Sequence, residues 1–311
     1  MISSFFSRTK PINYFVTVGF TVLVYVLANL LYLDFTNNLI LLLPKLVTLA
    51  VLVLTIFAIN PILIRNKLVE LNSLTMLFFG LLLASFLPAL QYDALIISNF
   101  LVLLSINQVL SLKSEKRTKH KIFAAAILIF AASLFNEWAL AFLVPLYLGI
   151  YAYSLVQIRH WLMPVAAFVA IGLLVAAYCS LTNSFHLLSE YYSFSLNQEL
   201  LFSNYYGLAG YTIFALLIFT IAMVKLNNRG VGRIVSLRIV SSYIFIGIIV
   251  ALVSDNFGVH VICYSFFATA VFLSNYIETI RKRRFKEALL IGAITIPLVL
   301  VGTYIFNNVS L

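Results

Sequence analysis

Charge is scarce in this chain. Asp, Glu, Lys and Arg make up 10% of its 311 residues, against 63% hydrophobic residues and a mean hydropathy of +1.07, which lies outside the range of soluble globular domains. Cysteine is nearly absent as well. Cys179 and Cys263 alone cannot build the multi-bridge framework of a small secreted fold; they read as small packing residues, with one disulfide as the alternative. The four histidines fall toward opposite ends of the apolar stretches, His120 and His160 at one end and His186 and His260 at the other. That split argues against one shared metal centre. Missing altogether are a Gly-rich phosphate loop, a HExxH zinc motif and a Ser/His/Asp order, so those enzyme classes have no support.

What is there is a series of eleven apolar stretches, near 14–33, 38–59, 73–90, 94–112, 120–135, 139–156, 162–181, 207–226, 234–253, 259–277 and 288–306. A spanning helix needs about 20 apolar residues. Continuous apolar runs, rather than alternating ones, exclude a β-barrel. The expected fold class is therefore all-α, a polytopic integral membrane bundle of about eleven transmembrane helices. Residues 1–311 form a single transmembrane domain with no soluble domain and no convincing internal repeat. Asn60-Pro61 and Asn227-Asn228-Arg229-Gly230 read as breaks between spans. Arg8 and Lys10 precede the first run, but no small-residue cleavage site follows it, so it reads as a span rather than a cleaved signal.

The connections between these stretches alternate in charge. One set carries Arg8/Lys10, Arg65/Lys67, the run from Lys113 to Lys121, Arg159, the Lys225–Arg238 segment and Arg281–Lys286, in all 19 basic against 4 acidic residues, a net +15. The other set holds Asp34, Asp93, Glu137, Glu190, Glu199 and Asp255 and no Lys or Arg, a net −6; Lys45, inside a span, restores the total of +10. Lys/Arg bias marks the cytoplasmic side. The expected topology is a cytoplasmic N-terminus and an outer C-terminus in a bacterial inner membrane. The high pI then reflects topology and attraction to anionic lipid headgroups of the cytoplasmic leaflet, not nucleic acid.

Two places depart from the pattern. The fifth span closes at Asn136-Glu137-Trp138 only about 14 residues after Lys121, roughly 21 Å against a hydrocarbon thickness of about 30 Å. Glu137 is thus expected below the outer surface. The second is the long outer connection 183–206, where Leu187/Leu188, Tyr191/Tyr192 and Leu200/Leu201 recur at roughly helical spacing. An amphipathic helix lying in the interface has that pattern.

Few residues are able to carry chemistry. Lys45 follows Pro44 inside the second span, and an intramembrane charge is rare enough to merit a functional reading. Three readings stand: its stem snorkels to the outer headgroups, it pairs with an acid such as Glu137, or it holds a phosphate. Asp34, Asp93, Glu137 and Asp255 all fall at helix ends on one side, where a carboxylate serves as general base or as ligand to a divalent metal. Asn29, Asn99, Asn107 and Gln108 lie within spans and are expected to hydrogen-bond helix to helix.

Two resemblances follow from these residues. The opening Met1-Ile2-Ser3-Ser4-Phe5-Phe6-Ser7-Arg8-Thr9-Lys10-Pro11-Ile12-Asn13 resembles the start of a polytopic membrane family of flavobacterial type, and the likeness runs over the whole chain without bringing an activity with it. The first half also resembles GT-C glycosyltransferases, which take a sugar from a polyprenyl-phosphate carrier on the outer face. Asp34 and Asp93 match by position the acids of that family's first two outer loops, and Leu95–Tyr153 is similar in texture, though the first outer loop is very short here and no soluble outer domain is present. That likeness implies Asp34, Asp93 or Glu137 as catalytic acids or metal ligands, Lys45 as phosphate ligand, and Tyr191 and Tyr192 in the loop that shapes the substrate side. No cofactor is required beyond a possible divalent metal. The competing functions are a non-enzymatic membrane subunit or scaffold of an envelope assembly, with membrane-protein partners, and a transporter or flippase with Lys45 and Glu137 along its path.

Overall fold

The computed structural model describes residues 5–6, 10–30, 42–70, 73–153, 157–183, 186, 191–192, 206–226, 231–254, 258–280 and 282–309. Asp34, Glu190, Glu199, Asp255, the Asn227–Gly230 break and most of the 183–206 connection lie outside these residues, and with them most of the expected interfacial helix.

A chain of apolar runs has to satisfy its backbone within each run, and helices do that. The described residues hold α1 (Pro11–Leu30), α2 (Leu42–Asn66), α3 (Leu74–Ser85), α4 (Asp93–Leu110), α5 (Thr118–Ser133), α6 (Leu143–Ala152), α7 (Ile158–Thr182), α8 (Tyr206–Leu226), α9 (Val231–Val253), α10 (Phe266–Thr279) and α11 (Arg283–Val309), joined by several short 3₁₀ segments and with no strand. Each expected apolar stretch contains one helix. Eight are long and apolar enough to cross a membrane, some counted with their flanking 3₁₀ turns; α3, α5 and α6 fall short of that length. The number and direction of crossings are therefore not fixed by helix length alone.

One boundary differs from the sequence reading. Asn60-Pro61 does not end the second span, because α2 continues through Pro61 to Asn66. Proline is tolerated inside a spanning helix that packs within a bundle. Beside it the Asn60 side-chain amide donates to the Tyr14 hydroxyl of α1, and the Asn66 side chain closes the last turn onto the Ile62 carbonyl at 2.8 Å.

The centre is built from α3, α4, α9 and α10. Every residue of α3 from Leu74 to Ala84 is buried, as befits a helix apolar all round. Of the apolar stretch within His260–Thr279, 83% is buried, against 17% in α7 and in α11. Those two helices pack on α5 and α3 respectively and turn Phe168, Leu173, Leu174, Ile296 and Val299 outward. So large an apolar exterior is that of a multi-pass membrane protein, with lipid as its solvent. Small residues permit the closest contacts: a side-chain carbon placed on Gly247 of α9 would lie 2.9 Å from the Ser265 side chain and 3.1 Å from its backbone nitrogen.

The polar residues within spans divide. Asn107 does bond across helices, accepting from the Asn66 amide at 3.2 Å. Asn29 instead donates to the Tyr25 carbonyl of its own helix at 2.9 Å. A tie without a sequence signal joins Asn13 to Ser73 at 2.6 Å.

Candidate functional site

Among the described residues, three of the 3₁₀ segments pack around α4 from other spans. Leu87–Gln91 follows α3, Glu137–Phe142 precedes α6 and Gly258–Ser265 precedes α10, and each packs against α4. Pro88 opens the first of these segments, where its missing N–H matters least. Non-α backbone at membrane depth is tolerated where protein buries it, and such breaks often mark functional hinges. These segments present Gln91, Glu137, His260 and Tyr264, all at the end that carries the acidic connections.

Lys45 lies in the first described turn of α2. Its ammonium donates to Asp93 Oδ1 at 3.0 Å and to the Gln91 carbonyl at 2.9 Å. Its own carbonyl accepts from the Tyr25 hydroxyl at 3.0 Å. The pair is partly buried, the side chains retaining 18% and 28% exposure. Asp93 begins α4, where a negative charge is favoured by the helix dipole. The internal ion pair is thus the reading of Lys45 realised here, with Asp93 as the partner rather than Glu137. Beside the pair, Tyr92 stacks on His260 with centroids 5.2 Å apart. The side-chain nitrogen Nε2 of Gln91 and Nδ1 of His260 are buried without a hydrogen-bond partner.

Glu137 forms a second locus. It opens its 3₁₀ segment, whose first turn is capped by Asn136 Oδ1 accepting from the Trp138 backbone N–H at 3.0 Å. Its side chain is 2% exposed, in keeping with a short fifth span whose end lies below the surface. Tyr191 and Tyr192 pack edge to face at 5.1 Å, and the Tyr192 hydroxyl lies 3.2 Å from Ser133 Oγ. Burial, then the Glu137 carboxylate, then Tyr192 push the Tyr191 phenol above its ordinary value. Tyr264 donates to Ser98 Oγ at 2.6 Å, and Ser98 donates to the Ala132 carbonyl at 2.9 Å, so α4 and the Gly258–Ser265 segment join the two loci.

The structure brings Lys45 to Asp93, and Glu137 to Tyr191 and Tyr192, while Asp34 lies outside the described residues. A divalent cation would have to displace the Lys45 ammonium from Asp93, and among the described residues no three His, Cys, Asp or Glu side chains converge. These residues do not fit a metal. Cys179 and Cys263 are free and buried.

Sequence reasoning passed over a third polar locus at the opposite end. Arg233 donates to Asn275 Oδ1 at 2.8 Å and to the Leu68 carbonyl at 3.1 Å, and lies 3.7 Å from Glu278 Oε2. Glu278 also accepts from the Glu70 backbone N–H at 3.0 Å. In the sequence Arg233 belongs to the basic Lys225–Arg238 segment, one residue before the apolar run 234–253, and nothing local marks it as turned inward. The chain matches no family model, no curated protein and no solved structure.

Proposed function

We propose that this chain is a multi-pass inner-membrane protein, crossing about eleven times from a cytoplasmic N-terminus, that serves as a non-enzymatic integral subunit of an envelope assembly. The observation that carries the reading is the closed Lys45–Asp93 pair, with the ammonium held at once by a carboxylate and a carbonyl. Charges matched in this way hold helices in register, whereas a phosphate ligand or catalytic base has to remain available to substrate. Arg233 is likewise engaged within the bundle.

A GT-C-like transferase acting on a polyprenyl-phosphate-linked sugar is the second reading. What favours it is the grouping of Glu137 with Tyr191 and Tyr192 beside the outer connection, an acid among aromatic rings of the kind that packs on sugars.

Purified full-length protein in detergent separates the two. Lys45→Met is expected to lower the melting temperature, adding Asp93→Leu to restore most of it, and both variants to behave as wild type toward polyprenyl phosphate. A Lys45→Met variant of unchanged stability that loses saturable binding of polyprenyl phosphate would overturn the subunit reading in favour of the transferase.

A further inference from the structure

A cavity of about 500 Å³ opens at the basic end, lined by Glu115, Arg117, Thr118, Lys119, Tyr153, Gln157 and His160. Two helices begin in it: α5 at Thr118 and α7 at Ile158. Neither start is capped by a side chain, since Arg117 and Gln157 at the two cap positions make no such bond. In the first turn of α7 the His160 N–H already donates to the Gln157 carbonyl at 2.9 Å; the earlier N–H groups of both helices point out of the helix starts, and both positive dipole ends serve one space. That arrangement suits an anion.

The side chains supply an independent pointer. His160 is 7% exposed; its Nε2 lies 3.0 Å from Thr118 Oγ1, and its Nδ1 is buried with no partner. A buried ring nitrogen without a partner is uncommon in a finished interior. Of the neighbouring cations Lys121 is already engaged, donating to the Ser111 carbonyl at 2.6 Å and to Ser114 Oγ at 2.5 Å. Arg117 and Lys119, by contrast, are exposed at the rim, with no ion pair among the described residues.

The geometry points to a phosphate-binding site in this cavity, for the phosphate of a lipid headgroup or a free phosphate ester. Arg117 supplies a bidentate fork and Lys119 a second charge; Thr118, His160 and the two helix starts supply shorter-range donors. Glu115 is the one acid on the lining, and it suits the hydroxyl or ammonium that a headgroup carries beside its phosphate. Arg117 has φ of 51° and Glu115 of 53°, left-handed conformations in which non-glycine residues are strained. The backbone there keeps two large charged side chains where glycine is the easier choice. This inference is independent of the function proposed above.

The test uses full-length protein in neutral detergent, with inorganic phosphate and short-chain phosphatidic acid as separate probes and a thermal-shift titration as readout. Arg117→Gln and Lys119→Gln are each expected to weaken binding about tenfold, the equivalent of one charge-assisted hydrogen bond. Thr118→Val and His160→Gln are expected to weaken it less. Arg284→Gln and Lys286→Gln, in the other basic run, are the controls and leave it unchanged. Arg117→Gly separates binding from folding: relief of the left-handed strain raises the melting temperature of the free protein while its affinity falls. Response to phosphatidic acid alone assigns the site to a lipid headgroup, and response to inorganic phosphate as well assigns it to phosphate generally. No response to either probe, or equal losses in the control variants, overturns the proposal and leaves only diffuse attraction between basic loops and anions.

Discussion

Lys45 and Arg233 each carry a positive charge into an apolar bundle, one near the acidic end and the other near the basic end, and they are held differently. Lys45 meets one carboxylate and one carbonyl, and its partner Asp93 keeps 28% exposure. Arg233 meets a carbonyl, an amide oxygen and a carboxylate, and Glu278 keeps only 6%. A lysine ammonium is a point charge on a flexible stem, free to relax toward the interface when a partner is lost. The Arg233 Nη2 gathers three acceptors; without it the Leu68 carbonyl keeps the Asn275 amide and Glu278 keeps the Glu70 N–H, but the buried carboxylate loses this counter-charge. The comparison teaches that the arginine locus joins α9, α10 and the connection after α2 into one unit, whereas the lysine locus only fastens α2 to the start of α4.

The largest effect is therefore expected from Arg233→Met. It leaves Glu278 buried beside the Asn275 amide oxygen and the Leu68 carbonyl, a loss of about 3–5 kcal/mol for one partner of a buried pair, to be measured as denaturant unfolding in detergent. Arg233→Lys should recover little of it; full recovery would show that charge rather than planarity matters at this position. Lys45→Met comes next, with a cost of about 2 kcal/mol, between the ranges for exposed and buried pairs. In the Lys45→Met/Asp93→Leu double variant most of that cost should disappear, and additive losses would break the parallel between the two loci. Tyr25→Phe removes the hydrogen bond onto the Lys45 carbonyl and is expected to cost about 1 kcal/mol, read as a small drop in melting temperature.

The smallest effect is a pH dependence in the 183–206 connection. Because the folded state holds the Tyr191 phenol above its ordinary value of 10.0, the unfolded chain releases that proton first as pH rises. The neutral phenol's contribution to stability is thus fully present below about pH 10 and lost above it. Tyr191→Phe should flatten the alkaline arm of a stability-against-pH curve, and an unchanged arm would place the titration elsewhere.

The helical fold was legible in the sequence because lipid allows few options: apolar runs of about 20 residues must be helices, and each of the eleven stretches contains one. Local chemistry misled at Asn60-Pro61, since turn propensities describe a chain in water, while here α2 runs on through Pro61 within the bundle, with the Asn60 side chain tied to Tyr14 of α1. Of the candidate site, Lys45 stands out in the sequence for the cost of its charge and Asp93 as a carboxylate at a helix end. Their pairing across 48 positions was not readable, because any acid of the acidic connections satisfies an electrostatic argument and only the docking of α2 on α4 selects Asp93. His260 reads in the sequence only as a residue at the end of a span and Gln91 carries no signal; the Leu87–Gln91 and Gly258–Ser265 segments bring the two to one locus.

The sequence by itself determined the composition of each span, the +15 and −6 division of the connections and the cost of a lone lysine among apolar residues, because these depend only on local content and the free energy of transfer. Tertiary structure alone decided which acid meets Lys45, that Arg233 faces inward to Glu278, and that the starts of α5 and α7 share one cavity. Those outcomes depend on how helices far apart in the chain turn toward each other, and local hydrophobicity leaves that rotation open.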